Sequence, residues 1–196
     1  GKTDERPMVF MKNPASACRN GDTIVIPTIC REGGPQVDYE GELAFEIADD
    51  CRDVPLEQAM SVLAGYRVAN DVSARWWQKT GSGGQFCRGK SFDTFCPMSD
   101  LVPAGAIADP QDLEIETILN GVRVQHASTR LMVFPVKFLI AELSRGMTLL
   151  AGTIVLTGTP AGVGAGRTPP LFLKDGDCVE VKIARIGHLV NKVREA

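Results

Sequence analysis

Two glutamates in the stretch VDYEGELAFEI have a spacing that allows them to act together. Because side chains alternate along a strand, Glu40 and Glu42 point to the same face, with Cα atoms about 6.5–7 Å apart. From one rigid element they can converge on a hard cation, which takes oxygen ligands. A third carboxylate, Asp71, lies at the end of a later strand whose same-face neighbours are small. The alternative is that the acidic face is simply solvated.

The type of ligand narrows the choice of metal. Three carboxylates without a histidine or thiolate at matching spacing favour Mg²⁺ or Mn²⁺ over zinc. Glu46 shares the acidic face and is expected to be an exposed charge with no role. On the opposite face, an apolar row is expected to pack in the core: Tyr39, Leu43, Phe45 and Ile47.

A lysine in the segment RGKSFD is a second candidate for chemistry. Lys90 lies between a glycine and a serine, where a backbone can come close to a ligand. An ammonium there can meet a substrate carboxylate or stabilise a developing oxyanion. The alternative, which composition alone favours, is a solvated loop lysine.

Other chemistries have little support in the sequence. VLTGTPAGVGAG lacks both GxxxxGK[ST] and a GxGxxG leading into a helix, so no nucleotide site is expected. His126 and His188 have no partner at i+4 and no neighbouring carboxylate in sequence, so both are expected to be structural. Cys-His or Ser-His catalysis is therefore not expected. Trp76 and Trp77 are expected to pack in a core or a dimer contact.

The composition is that of an ordinary globular protein. The 196 residues are 44% hydrophobic with a net charge of −3, which allows a sizeable core and indicates no nucleic-acid surface. Six cysteines without CxxC or zinc-like spacing are expected to be reduced, which indicates an intracellular protein, mitochondrial or cytoplasmic. No apolar run reaches about 18 residues, so no membrane span is expected.

Short strands are the elements that must position these residues. Glycine (20) and proline (12) punctuate short apolar runs, as is typical of a β-rich protein with few helices. PMVFMK and DTIVIP are predicted strands, and residues 37–48 a longer one. YRVANDVSAR is predicted to be a strand leading into the polar-aromatic ARWWQKT and the glycine-rich GSGGQFCRGKSFD loop. LEIETILNGVRVQHAS is predicted to be a hairpin turning at Asn120-Gly121, and the last third returns to strands.

Two helices are predicted. In DVPLEQAMSVLAGY, Asp53 is the expected N-cap, Pro55 lies in the first turn and Gly65 is the expected stop. FPVKFLIAELSRG has apolar residues at helical spacing and is expected to end at Gly146.

The order of these motifs resembles the catalytic domain of the fumarylacetoacetate hydrolase superfamily. VDYEGELAFEI, GYRVANDVSARWWQ, GKSFDTFCP, TGTPAGVG and PPLFLKDGDCVEV follow one another as in that family. The likeness runs from about residue 8 to residue 193 and lies closest to the fumarylacetoacetate hydrolase domain-containing branch. It implies a single catalytic domain over residues 1–196. The implied fold is β-rich α+β, a mixed β-roll with a few short helices.

The resemblance also implies roles for particular residues. In the family, the paired glutamates and the aspartate of an NDVSAR-like segment hold Mg²⁺ or Mn²⁺, which assigns the metal to Glu40, Glu42 and Asp71. The lysine of the GK[ST]FD segment faces the substrate, so Lys90 would be the catalytic residue and a substrate contact. Three further positions match family residues around the ligand: Arg75, Gln78 and Thr159.

The implied activity is that of a divalent-metal-dependent enzyme acting on a short 2-oxo acid through a stabilised enolate. The branch favours oxaloacetate, by tautomerisation or decarboxylation, that is, an isomerase or a lyase. Hydrolytic C–C cleavage of an acylpyruvate or fumarylacetoacetate-like diketo acid is the first alternative. A non-catalytic relative that binds metal and ligand is the second.

Family members carry, upstream of the segment matching PMVFMK, an NYxxHxxE-like motif whose His-Glu pair sits on a mobile lid. The present sequence begins after that position, so this domain is expected to lack the lid. Among the implied activities, the missing lid disfavours hydrolysis most, because the general base would be missing. The resemblance further implies a homodimer with a small 2-oxo acid as ligand, and no nucleic-acid or membrane partner.

Overall fold

The computed structural model describes residues 6–196. Within that range the chain forms short strands, three short α-helices and several 3₁₀ turns. The strands are β1 (Ala17–Arg19), β2 (Ile24–Ile26), β3 (Val37–Asp38), β4 (Gly41–Ile47), β5 (Leu63–Asn70), β6 (Ser73–Ala74), β7 (Cys96–Met98), β8 (Val102–Pro103), β9 (Glu114–Leu119), β10 (Val122–Ser128), β11 (Ile154–Leu156), β12 (Cys178–Ile183) and β13 (Gly187–Glu195). The helices are α1 (Arg75–Gln78), α2 (Phe86–Gly89) and α3 (Val136–Ser144).

The strands form two main sheets and one small ribbon. The first sheet has the order β1-β7-β5-β4-β11, with β8 also paired to β5, and the second has the order β10-β9-β12-β13-β2. Strands β3 and β6 form the ribbon. Two strand pairs, β1 with β7 and β13 with β2, are parallel, whereas β4 and β5 are antiparallel. The prediction of a β-rich chain with few helices is confirmed.

Two buried clusters hold the sheets together. Leu43, Phe45 and Ile47 of β4 pack in the larger one, with residues of β12 and α3. Tyr39 packs in the smaller one, with Trp77 among its neighbours. Each such side chain stabilises the fold by about 1.5–3 kcal/mol relative to an exposed one. The predicted apolar face of this segment is therefore confirmed.

The segment predicted as one strand over residues 37–48 is two strands. Val37–Asp38 pairs with β6, and Gly41–Ile47 pairs with β5, so the chain passes from the ribbon to the first sheet at Tyr39 and Glu40. The backbone N–H of Glu40 donates to the side chain of Asn70 instead of to a strand (2.9 Å). This break places Glu40 at the junction of two sheets.

The first predicted helix is wrong in type. Leu56–Val62 is a 3₁₀ turn preceded by Pro55, and β5 begins directly after it at Leu63. Asp53 does not cap it, since its carboxylate accepts a hydrogen bond from Gly146 N instead (2.7 Å). Gly65 does not end it either, because it lies inside β5.

The other local predictions are mostly correct. DTIVIP contains β2, and α3 forms where predicted, with Gly146 following it at φ +70°. The hairpin turns at Asn120 and Gly121, which have φ values of +51° and +79°, as a type I′ turn requires. PMVFMK is not a strand: within the described range it pairs with no other strand, and its Lys12 turns inward to a buried carboxylate. The glycine-rich loop contains α2.

No helix within residues 6–196 has the length and apolar character needed to cross a membrane. The six cysteines are free thiols, as expected from their spacing.

Gly65 gives a prediction about the first sheet. A Cβ at this position would lie 2.1 Å from the carbonyl oxygen of Val102 in the adjacent β8. We expect Gly65→Ala to lower the free energy of unfolding by about 1–3 kcal/mol, as overpacking does. Urea denaturation measures this, with Gly105→Ala as the control, because a Cβ at Gly105 meets no atom within 4 Å. Equal stability of the two variants would contradict the close approach of β5 and β8.

Candidate functional site

The structure brings the three predicted metal ligands together. Glu40, Glu42 and Asp71 each offer a carboxylate oxygen, and these oxygens lie within 4.8 Å of one another. The three residues are 8%, 3% and 2% exposed, so the solvated-face alternative is wrong. We call these residues the carboxylate triad.

The pairing of β4 with β5 explains why the triad forms. Gly41 is opposite Asn70 in the antiparallel ladder, which places the residues just before β4 and just after β5 side by side. Asp71 N donates to the carbonyl oxygen of Glu40 (2.9 Å), so the two carboxylates start from bonded backbones. Glu42 adds its carboxylate from the same face of the segment, two residues after Glu40.

The electrostatics of the triad suit a cation. Burial, then the charges of Asp71 and Glu40, raise the pKa of Glu42 well above its ordinary value. The ammonium of Lys90 and the backbone N–H of Gly158, which donates to Glu42 Oε2 at 2.6 Å, oppose this rise. Three buried carboxylate oxygens are hard ligands, so the triad fits a divalent cation and can hold one.

Glu42 gives a prediction about pH and metal. Its raised pKa means that its stabilising contribution is present below pH 4.5 and is lost as the pH rises through the higher folded-state pKa. We therefore expect Glu42→Gln to raise the melting temperature of EDTA-treated protein at pH 8 by about 2–4 °C, the shift that about 1 kcal/mol produces in a domain of this size.

Calorimetry at pH 5 and pH 8, with and without Mg²⁺, tests this expectation. The gain should shrink at pH 5, and the variant should lose most of the Mg²⁺-dependent rise in melting temperature that the unaltered protein shows. A variant that is less stable than the parent at pH 8 without metal would contradict the raised pKa.

Lys90 lies inside the triad. It follows α2, is 2% exposed, and its Nζ donates to Glu40 Oε2 (2.8 Å), Asp71 Oδ2 (2.5 Å) and Ser73 Oγ (2.8 Å). Burial lowers its pKa, but the charges of Asp71 and Glu40 outweigh burial and leave the pKa raised. The side chain is therefore a buried ammonium, and the solvated-loop alternative is wrong.

Arg75 and Gln78 reach the same place from α1. One edge of the Arg75 guanidinium contacts Asp38 Oδ2 (2.8 Å), and Nη1 lies 2.5 Å from Glu40 Oε1. Nη1 also donates to Gln78 Oε1 (3.0 Å), and Gln78 is 6% exposed. Burial lowers the pKa of Arg75, but Glu40 and Asp38 raise it further, so the charge is permanent. These contacts place a guanidinium and an amide beside the triad.

Thr159 belongs to the loop that closes against β4. Its hydroxyl donates to the carbonyl oxygen of Gly41 (2.9 Å) and accepts from Gln125 Nε2 (2.8 Å). Thr157 Oγ1 donates to the carbonyl oxygen of Leu43 (2.8 Å) in the same way. Thr159 thus holds the TGTP loop between the two triad glutamates, and its predicted contact with a substrate stays a prediction.

Sequence reasoning missed Lys12. Its Nζ donates to Asp71 Oδ1 (2.6 Å) and to the carbonyl oxygen of Lys90, and its side chain is 12% exposed. Phe10, two residues earlier, places its ring 5.1 Å from Lys90 Nζ. No local signal marked Lys12, because 59 residues separate it from Asp71.

Asp38 was also missed, although a signal was present. It continues the i, i+2 series of Glu40 and Glu42 by one step toward the N-terminus. It is fully buried and contacts Arg75.

Two other expectations have different outcomes. Glu46 is not an exposed charge: it is half-buried and lies 2.8 Å from Arg67 Nη2, although it does not join the triad. Trp77 is buried in the smaller core cluster and contacts Trp76 edge-to-face, which confirms core packing.

The two histidines lie on β10 and β13 of the second sheet. His126 is 3.1 Å from Glu114, and His188 is 2.9 Å from Glu180. Both carboxylates lie across a turn or a strand pairing, which is why a search along the local sequence did not find them.

Comparison with known proteins shows which family this chain matches. A family model described as "Fumarylacetoacetate (FAA) hydrolase C-terminal" matches residues 1–194. The mitochondrial oxaloacetate tautomerase of Xenopus laevis is 44% identical over 190 residues, which cover 96% of this chain and 58% of that protein. The oxaloacetate tautomerase of Bacillus subtilis (strain 168) is 44% identical over 190 residues, covering 96% of this chain and 62% of that protein. The chain thus spans about three fifths of these curated relatives.

A solved structure agrees with these matches. The fumarylacetoacetate hydrolase of Exiguobacterium antarcticum superposes with a TM-score of 0.90 at 43% identity, covering 99% of this chain and 68% of that one. This likeness confirms the predicted β-rich α+β fold, the mixed β-roll. The chain belongs to the fumarylacetoacetate hydrolase family.

Proposed function

We propose that this domain catalyses the keto–enol tautomerisation of oxaloacetate with the aid of a divalent cation, Mg²⁺ or Mn²⁺. The observation that carries the proposal is a buried carboxylate triad in contact with the ammonium of Lys90 and the guanidinium of Arg75. The names of the relatives from Xenopus laevis and Bacillus subtilis support oxaloacetate as the substrate.

The chemistry needs an electrophile beside the keto oxygen of the substrate. A cation held by Glu40, Glu42 and Asp71 would supply that electrophile. Lys90 remains protonated, and one of its three N–H groups, which bind Glu40, Asp71 and Ser73 in this structure, would turn to the keto oxygen, where negative charge develops as C3 gives a proton to water. The enolate oxygen would then take a proton from water to form the enol. Lys90 is therefore the catalytic residue in this proposal.

The remaining groups suit recognition of a carboxylate. Arg75 offers the Nη1 edge of its guanidinium, which here binds Glu40 Oε1 and Gln78 Oε1 and would exchange one of these partners for a substrate carboxylate. Lys12 adds a second ammonium on Asp71. Asp38, Glu40 and Asp71 already pair with these cations, so the charge of a small oxo-dicarboxylate would be matched by the divalent cation held there, which supports oxaloacetate over a neutral ketone.

Hydrolytic C–C cleavage of a diketo acid is the second candidate. It is favoured by the fumarylacetoacetate hydrolase of Exiguobacterium antarcticum, whose sequence is 43% identical. The two reactions share an enolate, and they differ in whether water attacks a second carbonyl group.

Parallel assays of Mg²⁺-loaded protein test the proposal. Tautomerisation is followed by the ultraviolet absorbance of enol-oxaloacetate, decarboxylation by the pyruvate formed, and hydrolysis by loss of an acylpyruvate. We expect acceleration of the first reaction, unchanged within about twofold in His126→Ala, because His126 lies on the second sheet and pairs with Glu114. Silence in all three assays would discard the substrate class, and cleavage alone would favour the hydrolase.

A further inference from the structure

We propose that Asp38 is a positioning residue, which fixes the orientation of Arg75 toward the substrate and locks the loop of residues 158–167 to the site. The inference rests on the proposed function, in which Arg75 binds a substrate carboxylate. It concerns a residue outside the carboxylate triad, and its evidence is a set of hydrogen bonds to one fully buried side chain.

One side of this carboxylate holds Arg75. Asp38 is 0% exposed, and its Oδ2 accepts from Arg75 Nε (2.9 Å) and lies 2.8 Å from Nη2. Two adjacent nitrogens of the guanidinium are thus bound by Asp38, which fixes the plane of the fork. Nη1 lies on the side of Glu40 and Gln78, which accept its two N–H groups here, so a substrate carboxylate would replace one of these two contacts.

The same carboxylate also holds the loop that follows β11, and its Oδ2 is shared between Arg75 and Ala165. Gly164 N donates to Asp38 Oδ1 (2.7 Å), Ala165 N donates to Oδ2 (2.9 Å), and Tyr39 N donates to Oδ1 (2.9 Å). A Cβ at Gly164 would lie 2.7 Å from Asp38 Oδ1 and 1.8 Å from the carbonyl oxygen of Leu171. Glycine therefore allows the loop to approach the carboxylate this closely.

Through these contacts Asp38 connects three elements: its own strand β3, helix α1 and the loop of residues 158–167. The same loop reaches the triad, because Gly158 N donates to Glu42 and the Thr159 hydroxyl donates to Gly41. A disturbed Asp38 should therefore change how Arg75 points and where the loop sits, while the triad oxygens keep their own contacts with Lys90.

Asp38→Asn is the first variant. An amide keeps the shape of the side chain but has only one acceptor oxygen, so its NH₂ group faces either Arg75 or the loop N–H groups as a second donor. We expect the KM for oxaloacetate to rise by about 10- to 100-fold with kcat reduced by no more than about threefold, the pattern of lost substrate binding. Mn²⁺ affinity, measured by electron paramagnetic resonance, should fall by a smaller factor than KM rises, because Asp38 reaches the triad only through Arg75 and the loop.

A double-variant cycle separates positioning from general damage. If Asp38 acts through Arg75, then Asp38→Asn should raise KM by no more than about twofold in an Arg75→Gln background. Multiplicative effects of the two changes would overturn the inference, as would an unchanged KM in Asp38→Asn.

Asp177→Asn is the matched control. Asp177 is 3% exposed and is also bound by neutral donors, Asn120 Nδ2 and Lys174 N (both 2.9 Å), next to the hairpin. It should lose stability as Asp38→Asn does, but keep the parental KM. A rise in KM equal to that of Asp38→Asn would show that instability alone explains the effect and would overturn the inference.

Binding of oxalate to the Mn²⁺-loaded protein, measured by calorimetry, makes the test independent of turnover. Positioning would be supported if Asp38→Asn weakened oxalate binding in the parental background but caused no further loss in the Arg75→Gln background. This outcome would hold even if oxaloacetate tautomerisation were absent. If the parental protein turns over oxaloacetate but Asp38→Asn binds oxalate as tightly as the parental protein does, the inference is overturned and the proposed function stays intact. Parental protein that binds no oxalate would also overturn the inference.

Discussion

Replacing Asp71 with alanine is expected to weaken divalent-cation binding by at least about tenfold and to abolish tautomerisation. Asp71 is the triad member that comes from outside the segment carrying Glu40 and Glu42, so its loss would leave only those two residues of one segment to hold a cation. It is also the residue on which Lys12 and Lys90 converge, at 2.6 Å and 2.5 Å. Titration with Mn²⁺ measures the affinity directly, without reference to any reaction.

Two further variants test whether the loss is specific to the Asp71 carboxylate. Asp71→Asn keeps the shape and one oxygen, so it should bind Mn²⁺ better than Asp71→Ala and less well than the parent if folding is intact. Glu46→Gln is the control: Glu46 lies on the acidic face of the same segment but pairs with Arg67 outside the triad. Titration curves that coincide for the parent and Asp71→Ala would refute the ligand assignment.

Replacing Lys90 with methionine is expected to lower kcat by about 10²- to 10³-fold, the usual effect of removing one group that stabilises a developing oxyanion. Methionine preserves the length and the apolar stem of the side chain but removes the charge. The change should lower kcat more than it raises KM, because the charge on the substrate oxygen develops in the transition state. Steady-state kinetics at saturating Mg²⁺ measure this difference.

Loss of Lys90 also removes a counter-ion from a buried group of carboxylates. Breaking such a pair costs about 3–5 kcal/mol, so metal-free Lys90→Met should unfold at lower denaturant concentration, and Mg²⁺ should restore part of the loss. Lys182→Met is the control, because Lys182 is 42% exposed and contacts Glu180 on the second sheet. A Lys90→Met protein that folds and keeps the parental kcat would show that the ammonium has no catalytic role.

Several elements could be predicted because their causes are local. The turn at Asn120-Gly121 needs two positive φ angles that these residues adopt readily, and α3 has apolar residues at helical spacing. The alternation of apolar and acidic residues around Glu40 and Glu42 likewise specifies which side chains face the core. The motif order then identified the family, which the comparisons confirm.

Other elements depended on which strands become neighbours. Leu56–Val62 ends where β5 begins, so the helix that its pattern favours does not continue to Gly65. Glu46 is paired because β4 and β5 bring Arg67 beside it. Lys12 was predicted to lie in a strand, whereas the fold turns it inward to a residue 59 positions away.

The sequence by itself determined the chemical types at the site: two acids two residues apart, a third acid after the next strand, and a lysine flanked by small residues. Tertiary structure alone decided that these groups meet. The burial of the triad, the contacts of Lys90 and Lys12 with Asp71, and the contact of Asp38 with Arg75 arise only when distant segments pack. The physical reason is that side-chain direction follows local periodicity, whereas the charges around a side chain depend on contacts between segments far apart in the chain.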